Sequence, residues 1–254
     1  MDLPANAFKA ALRQGQRQIG LWSSLCSPIA AEIIADSGFD WILLDTEHSP
    51  NELPDLLSQL QAMSRGTATA VVRPAWNDAV LIKRILDIGA MCLLVPYVQS
   101  AAEAERAVAA TRYPPRGVRG VTGSGRASRY GRVRHYLQHA EAEICVLVQI
   151  ETRQALDRLE AIAAVDGVDG VFIGPSDLAA SLGHVGRPQD PRVQAAIQEA
   201  GSRLAAAGKP AGILSFAPDE ARKYIEWGYA FVAVGSDLSL LARGADGLAA
   251  AFKA

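Results

Sequence analysis

The sequence has few of the features that mark a disulfide-stabilised, nucleic-acid-binding or membrane protein. Its 254 residues include only three cysteines, Cys26, Cys92 and Cys145, an odd number without the spacing of a metal site. This usage fits a reducing compartment. The net charge is −2, so no general attraction draws the chain to nucleic acid or to an anionic membrane.

Long apolar runs and leader-like segments are also missing. No stretch approaches the roughly 20 apolar residues of a membrane span, and no signal peptide opens the sequence. We therefore expect a cytoplasmic protein. The sequence also lacks a GxGxxG fingerprint, which argues against a doubly wound dinucleotide-binding fold.

What the sequence does contain is a regular alternation of strand-like and helical segments. Half of the residues are apolar, enough for a substantial core. Short apolar runs alternate with helical patterns, several of which end at a glycine. Eight such units favour an α/β fold, a single (β/α)8 TIM barrel spanning residues 1–254 as one domain, with an N-terminal helix. The strands are predicted at 18–22, 39–45, 69–73, 92–96, 144–150, 170–174, 211–215 and 231–235. The helices are predicted at 3–14, 28–37, 53–63, 77–88, 101–111, 152–164, 192–207, 218–227 and 238–252.

Two neighbouring predicted strands, 144–150 and 170–174, are followed within three residues by a carboxylate, and these two stretches, residues 146–151 and 170–177, organise the functional prediction. Glu151 and Asp177 follow neighbouring strands, so both would lie at the same end of a barrel. Carboxylate oxygens are hard ligands that suit Mg²⁺ or Mn²⁺. Each acid alone could simply begin a helix, where a negative charge is favourable. For the pair, with Gln149 beside Glu151, we predict a metal site.

Other polar residues are predicted at the same mouth of the barrel. His48 follows the second strand between acids that could tune it, which favours a general acid/base role over an ordinary surface histidine. Arg73 ends the third strand, where its planar guanidinium could bind a carboxylate or a developing oxyanion. The alternative for Arg73 is a structural salt bridge to Glu47 or Asp45.

The sequence does not by itself assign a role to two further features, Asp87 and the arginine-rich residues 112–134. Asp87 lies in the last turn of a predicted helix, where its charge opposes the helix dipole, at the face opposite the mouth. It is either an ordinary solvated residue or one that reaches the site of another subunit. Residues 112–134 carry seven arginines, and we interpret this loop as a source of positive charge for an acidic substrate or a subunit interface.

The lysines bear on whether the site could form a Schiff base. The sequence has only five, Lys9, Lys83, Lys209, Lys223 and Lys253, and none lies on the carboxyl-terminal half of a predicted strand. A Schiff-base enzyme needs its lysine inside the mouth. That class is therefore disfavoured, whereas metal stabilisation of an enolate remains open.

Several motifs together resemble the HpcH/HpaI family of class II pyruvate aldolases. They are Gly20-Leu-Trp22, residues 39–48, Val72-Arg-Pro74, residues 111–120, 148–151, 170–177 and 231–237, so the resemblance covers nearly the whole chain. It implies reversible aldol cleavage of 4-hydroxy-2-oxo acids to pyruvate and an aldehyde, with a divalent metal (Mg, Mn or Co). One position departs from the family pattern: Thr46 stands where the family has glycine, which bears on the choice of aldehyde.

The resemblance also implies roles for individual residues. Glu151 and Asp177 would bind the metal, His48 would be the acid/base and Arg73 would stabilise the transition state. Gln149 and the backbone at Ser176 and Asp177 would hold pyruvate. Apart from the resemblance, Trp22 at the end of the first predicted strand could recognise an acidic or polyhydroxylated tail of the substrate. Asp87 would pair with His48, and because its helix ends at the wrong face, we expect it to be donated across a subunit interface of a homo-oligomer, such as a hexamer built as a trimer of dimers.

Alternatives remain open from the sequence. The substrate could be of the 4-hydroxy-2-oxoheptanedioate type, or 2-dehydro-3-deoxyglucarate, which would give pyruvate and tartronate semialdehyde. A related enolate-forming carbon–carbon lyase and a non-catalytic binding barrel are the other candidates. The partners we expect are the small-molecule substrate and further copies of the chain, without nucleic acid or membrane.

Overall fold

A computed structural model, which describes residues 1–253, shows a closed barrel of eight parallel strands. Each strand pairs with its sequence neighbour, and β8 pairs with β1 to close the barrel. The strands are β1 (Gln18–Ser23), β2 (Trp41–Asp45), β3 (Thr69–Arg73), β4 (Cys92–Val95), β5 (Cys145–Ile150), β6 (Gly170–Ile173), β7 (Ala211–Leu214) and β8 (Phe231–Ser236). The predicted α/β TIM barrel is therefore confirmed.

Helices surround this barrel and follow the predicted alternation. They are α1 (Ala7–Arg13), α2 (Pro28–Ala35), α3 (Leu53–Ala62), α4 (Ala79–Asp87), α5 (Ala101–Thr111), α6 (Tyr136–Glu143), α7 (Arg153–Leu156), α8 (Leu159–Ala163), α9 (Pro175–Ser181), α10 (Pro191–Ala206), α11 (Pro218–Glu226) and α12 (Asp237–Lys253). Among residues 1–253, no helix is both long and apolar enough to cross a membrane.

Three helical features differ from the sequence prediction. The predicted helix at 152–164 is two short helices, α7 and α8. α6 was not predicted, because it buries only Ala140 fully and so lacks an apolar stripe. α9 was not predicted either. It begins at Pro175, directly after β6, where proline is favoured at the first helical position.

The barrel interior is filled by large side chains and closed at its N-terminal end by α1. Phe8 of α1 packs on Trp41 and Phe231, with ring centroids 5.8 and 6.0 Å apart. A Cβ on Gly20 would come within 2.2 Å of the Trp41 ring, so glycine is required there. Cys92 and Cys145 are fully buried on neighbouring strands, where they pack as small core residues.

The last helix stands out because little of it is buried. Asp237 is its one buried residue among those described, and its carboxylate accepts hydrogen bonds from Ser23 Oγ (2.9 Å) and Ser24 N (2.9 Å). Beyond this attachment the helix exposes Leu240, Leu241 and Phe252, the last with 85% of its surface accessible. Exposed apolar surface of this extent is typical of an interaction site.

Candidate active site

The carboxyl ends of the strands surround a cavity of about 760 Å³. Because every strand runs in the same direction, the residues that follow them converge at this one mouth. The cavity is lined by predicted site residues, namely Trp22, His48, Arg73, Gln149, Ser176 and Asp177. Glu151 is buried immediately beside it and contacts Gln149. The predicted roles of these residues stay predictions, but the structure brings all seven together.

Arg73 is the best-fixed side chain of the mouth. Its Nε donates to Oδ1 of Asp45 at 2.8 Å, and Nη2 donates to Oδ2 at 2.6 Å, a bidentate contact. Its guanidinium carbon also lies 5.0 Å from the ring centroid of Trp22, whose Nε1 donates to Asp45 Oδ2 at 3.1 Å. Burial alone would raise the pKa of Asp45, but Arg73 outweighs this effect and holds the pKa below its usual range.

The salt bridge that the sequence left as an alternative for Arg73 is therefore present. Arg73 also forms an ion pair with Glu47, Nη1 to Oε2 at 2.8 Å, without the alignment of a hydrogen bond. A guanidinium has five N–H donors, and these contacts leave some of them free to bind a ligand. The contacts with Asp45 and Glu47, which together clamp the guanidinium, thus orient Arg73 and still leave N–H groups that can donate to a ligand.

Three carboxylates form the acidic part of the site: Glu47, which pairs with Arg73, together with Glu151 and Asp177. Burial raises the pKa of Glu151 to about 8, and the charges of Glu47 and Asp177 add to the rise. Burial also raises the pKa of Glu47, while Arg73 and His48 offset only part of that effect. Like charges held this close favour a bound cation or a retained proton.

Gln149 and Gly174 shape the space around Glu151. Gln149 Nε2 donates to Glu151 Oε2, and its amide oxygen is buried without a hydrogen-bond partner among residues 1–253. A Cβ added to Gly174 would lie 2.9 Å from Gln149 Nε2 and 2.9 Å from Glu151 Oε2. Glycine at this position therefore keeps the carboxylate and the amide in place.

His48 lies at the rim of the cavity rather than in its depth. Its side chain is 66% exposed, and its Nε2 is 4.0 Å from Oε2 of Glu47. Thr46, on the same loop, donates its hydroxyl to the backbone oxygen of Arg73 at 2.6 Å. The side chain that departs from the family pattern is thus fixed against the end of β3. Its predicted effect on aldehyde choice stays a prediction.

The donor set at the mouth fits a hard divalent cation. Among residues 1–253, no group of three or more histidine, cysteine, aspartate or glutamate side chains could hold a metal alone. Two carboxylates, Glu151 and Asp177, with water and substrate oxygens completing the coordination, are nevertheless the usual environment of Mg²⁺. A cation there would also relieve the repulsion that raises the pKa of Glu151.

Asp87 is the one predicted site residue that lies elsewhere within the chain. It ends α4 at the N-terminal face of the barrel, and its Oδ1 accepts a hydrogen bond from Arg119 Nη2 at 3.0 Å. Its side chain is 26% exposed. Within one chain it cannot contact His48, as the direction of its helix predicted.

Sequence reasoning missed part of the site. Glu47 was predicted beside His48 and Arg73, but not as a member of the acidic cluster with Glu151 and Asp177. The wall formed by Phe216, which follows β7, and by Leu238, Ser239 and Arg243 of α12 was not predicted. The residues of α12 line the mouth because this helix packs on β1 and β8.

Comparison with known proteins agrees with this geometry. Residues 18–244 match the model of the HpcH/HpaI aldolase/citrate lyase family. The chain is 61% identical to a pyruvate aldolase of Rhizobium etli, over 99% of each chain. It is 57% identical to a 4-hydroxy-2-oxo-heptane-1,7-dioate aldolase of Klebsiella pneumoniae, over 97% of this chain and 94% of the other. A solved HpcH/HpaI aldolase/citrate lyase family protein of Burkholderia cenocepacia superimposes with a TM-score of 0.95 at 40% identity, covering 98% of this chain and 100% of that one.

Proposed function

The chain belongs to the HpcH/HpaI aldolase/citrate lyase family, and we propose that it is a divalent-metal-dependent aldolase that reversibly cleaves 4-hydroxy-2-oxo acids to pyruvate and an aldehyde. The observation that carries this proposal is the juxtaposition of a clamped arginine with three carboxylates at one mouth. An enolate formed there would meet fixed positive charge on one side and hard oxygen ligands on the other.

Glu151 and Asp177 would hold the cation, and when bound it would polarise the 2-oxo group as a Lewis acid. Gln149 lies next to Glu151 with a donor amide, and the first backbone N–H groups of α9 at Ser176 and Asp177 have no acceptor within the helix. These donors would orient the carboxylate of the 2-oxo acid. Trp22 and Phe172 pack together and form an apolar surface for the methyl end of pyruvate.

The bond-breaking step needs one proton acceptor and one charge stabiliser. His48 would take the proton of the 4-hydroxyl group, so that the electrons of the C3–C4 bond pass to the 2-oxo acid fragment and the aldehyde leaves. Arg73, held by Asp45, would donate hydrogen bonds to the oxygen that gains negative charge. Returning the proton from His48 to C3 would give pyruvate.

The experiment that tests this function is exchange of the pyruvate methyl protons in D₂O, followed by NMR. We expect exchange that disappears with chelator and returns when Mg²⁺, Mn²⁺ or Co²⁺ is added back. Aldehydes with and without a terminal carboxylate would then be screened for condensation with pyruvate. Exchange that survives removal of metal would refute the metal-dependent mechanism, and no exchange with any metal would refute the aldolase function.

We also propose that the enzyme is a homo-oligomer in which Asp87 of one subunit pairs with His48 of the next. The exposed apolar residues of α12 and the exposed Ile29 and Ile33 of α2 support an assembly. Asp87 keeps one carboxylate oxygen open at the surface. Mixing the impaired His48→Ala and Asp87→Asn variants tests this arrangement, because a mixed oligomer would contain sites with both groups intact. Activity above that of either variant supports the pairing, and no such rise in a mixed oligomer refutes it.

A further inference from the structure

Arg119 is a fully buried arginine that the proposed mechanism does not use. Its side chain has 0% exposure, although it lies on the loop that follows α5. Its Nη2 donates to Oδ1 of Asp87 at 3.0 Å, the one salt bridge it makes within residues 1–253. In the same described region its Nε and Nη1 have no hydrogen-bond partner. A buried guanidinium with so few contacts is costly and calls for a reason.

The backbone fixes where Arg119 points. Arg119 N donates to the carbonyl of Arg112 at 2.9 Å, and Val118 N donates to that of Ala109 at 2.8 Å, so the loop lies along the end of α5. A Cβ on Gly117 would come within 2.3 Å of the Ala109 carbonyl oxygen. Glycine therefore permits this close approach, and the approach places the Arg119 side chain against α4.

An aromatic ring completes the placement. The guanidinium carbon of Arg119 lies 4.7 Å from the ring centroid of Tyr113, within the range of a cation–π contact. Burial lowers the pKa of Arg119, but Tyr136 and Asp87 outweigh this effect and raise it, so the group stays charged. Arg119 is thus a rigid positive charge behind Asp87.

This charge holds a carboxylate where the helix alone would disfavour one. Asp87 lies at the C-terminal end of α4, whose dipole places partial negative charge there. Arg119 opposes that repulsion and contacts only Oδ1. Oδ2 accepts no hydrogen bond from the part of the chain that is described, and the side chain remains 26% exposed. The carboxylate is therefore fixed on one side and open on the other.

We propose that Arg119 is a positioning residue: it orients the carboxylate of Asp87 so that the open oxygen reaches His48 of a neighbouring subunit. This inference rests on the proposed function. Buried ion pairs contribute little net stability compared with apolar residues of the same volume, whereas they do fix geometry. Arg119 would act on catalysis only through Asp87. Substitution of Arg119 should therefore have no effect on turnover once Asp87 has been replaced.

The test is a double-mutant cycle in the intact oligomer, with pyruvate methyl exchange as the assay. The variants are Arg119→Met, Arg119→Lys and Asp87→Asn, together with each Arg119 substitution in the Asp87→Asn background. Tyr113→Phe is the matched control, because it keeps the ring beneath the guanidinium and removes only a hydroxyl that has no partner among residues 1–253. Thermal melting and size-exclusion chromatography establish that each variant is folded and assembled.

We expect Arg119→Met to lower kcat by on the order of tenfold with KM for pyruvate unchanged, since displacing a catalytic group costs rate rather than affinity. Arg119→Lys should recover part of the loss. Asp87→Asn should lower kcat by on the order of 10²-fold. In that background neither Arg119 substitution should lower it further. Tyr113→Phe should have the activity of the unaltered protein.

Each other outcome overturns a different statement. An Arg119 substitution that costs the same factor in the Asp87→Asn background would make Arg119 merely structural. If Arg119→Met does not fold, the same comparison with Arg119→Lys decides. Full exchange by Asp87→Asn would refute both the role of Asp87 and the positioning by Arg119. Absence of exchange in the unaltered protein with every metal would refute the proposed function itself.

Discussion

Buried acidic side chains have opposite surroundings at the two ends of the barrel. At the N-terminal end Asp169 is paired: Lys9 lies 3.4 Å from it, and it accepts a hydrogen bond from Val146 N at 3.0 Å. At the carboxyl end Glu151 lies among other carboxylates, and its pKa rises to about 8. The first end is closed by α1, whereas the second opens into a cavity.

This difference separates stability from function. Pairing Lys9 with Asp169 lowers the free energy of the folded state without a ligand from solution. Leaving like charges together raises that free energy, and such strain persists only where it serves binding or chemistry. The contrast predicts that substitutions at the two ends will affect different measurements.

The largest effect should come from removing the central carboxylate of the mouth. Glu151→Ala should reduce metal-dependent pyruvate exchange to background, because it deletes a proposed metal ligand. Exchange by NMR and metal affinity by calorimetry would measure this loss. Glu160→Ala is the matched control, since Glu160 is an acid on the surface that pairs with Arg203 at 2.6 Å. Normal turnover by Glu151→Ala would contradict the assignment of the site.

The next largest effect should come from Arg73, which Asp45 and Glu47 hold at the mouth. Arg73→Lys keeps the charge but loses the bidentate fork, and we expect kcat to fall on the order of 10²–10³-fold if Arg73 stabilises the oxyanion. Arg203→Lys, which alters a comparable fork on the surface, should leave turnover unchanged. A small loss in Arg73→Lys would mean that its contacts with Asp45 and Glu47 are only structural.

A smaller effect is expected from a change that only fills space. Gly174→Ala would place its methyl group 2.9 Å from Glu151 Oε2, so the carboxylate must shift. We expect kcat to fall roughly 10–10²-fold, since small displacements of catalytic groups are costly. Gly123→Ala, where an added Cβ meets nothing within 4 Å, is the control. Equal activities of the two variants would show that the Glu151 position tolerates displacement.

The smallest expected effects are on stability, and their signs should differ between the two ends. In the metal-free protein Glu151 has a pKa of about 8, compared with 4.5 when exposed, so the folded state binds the extra proton between these values. Stability should therefore fall as pH rises through this window, by roughly 1.4 kcal/mol per pKa unit at most. Glu151→Gln should be more stable than the unaltered protein at pH 8 and similar at pH 4.

The matching substitution at the N-terminal end, Lys9→Met, should lower the stability of the protein. Lys9→Met leaves Asp169 with the hydrogen bond from Val146 N and, as its remaining salt-bridge partner among residues 1–253, the exposed Arg13, 3.5 Å away. We expect a loss of about 1–3 kcal/mol in unfolding free energy, with exchange activity per folded molecule unchanged. Thermal melts of both variants across this pH range would measure the contrast. A stabilising Lys9→Met or a destabilising Glu151→Gln at pH 8 would break the distinction between the two ends.

Much of this arrangement could be predicted from the sequence, because parallel strands read as short apolar runs that end at polar residues. The position of Glu151 after β5 and of Asp177 after β6 followed from that pattern alone. The failures have physical causes as well. α6 carries almost no apolar periodicity. The arginine-rich loop was predicted, but its sequence does not show that Arg119 folds inward against Asp87.

The sequence by itself determined the barrel and therefore which residues meet at the mouth, because apolar periodicity is a local property and a helix between successive strands makes those strands parallel. Only the tertiary structure decided how those residues interact: that Arg73 is clamped by Asp45, that Glu151 is buried beside like charges, and that Arg119 holds Asp87 at the other end. Such interactions depend on distances between residues far apart in the chain, and on the burial that gives each charge its energy.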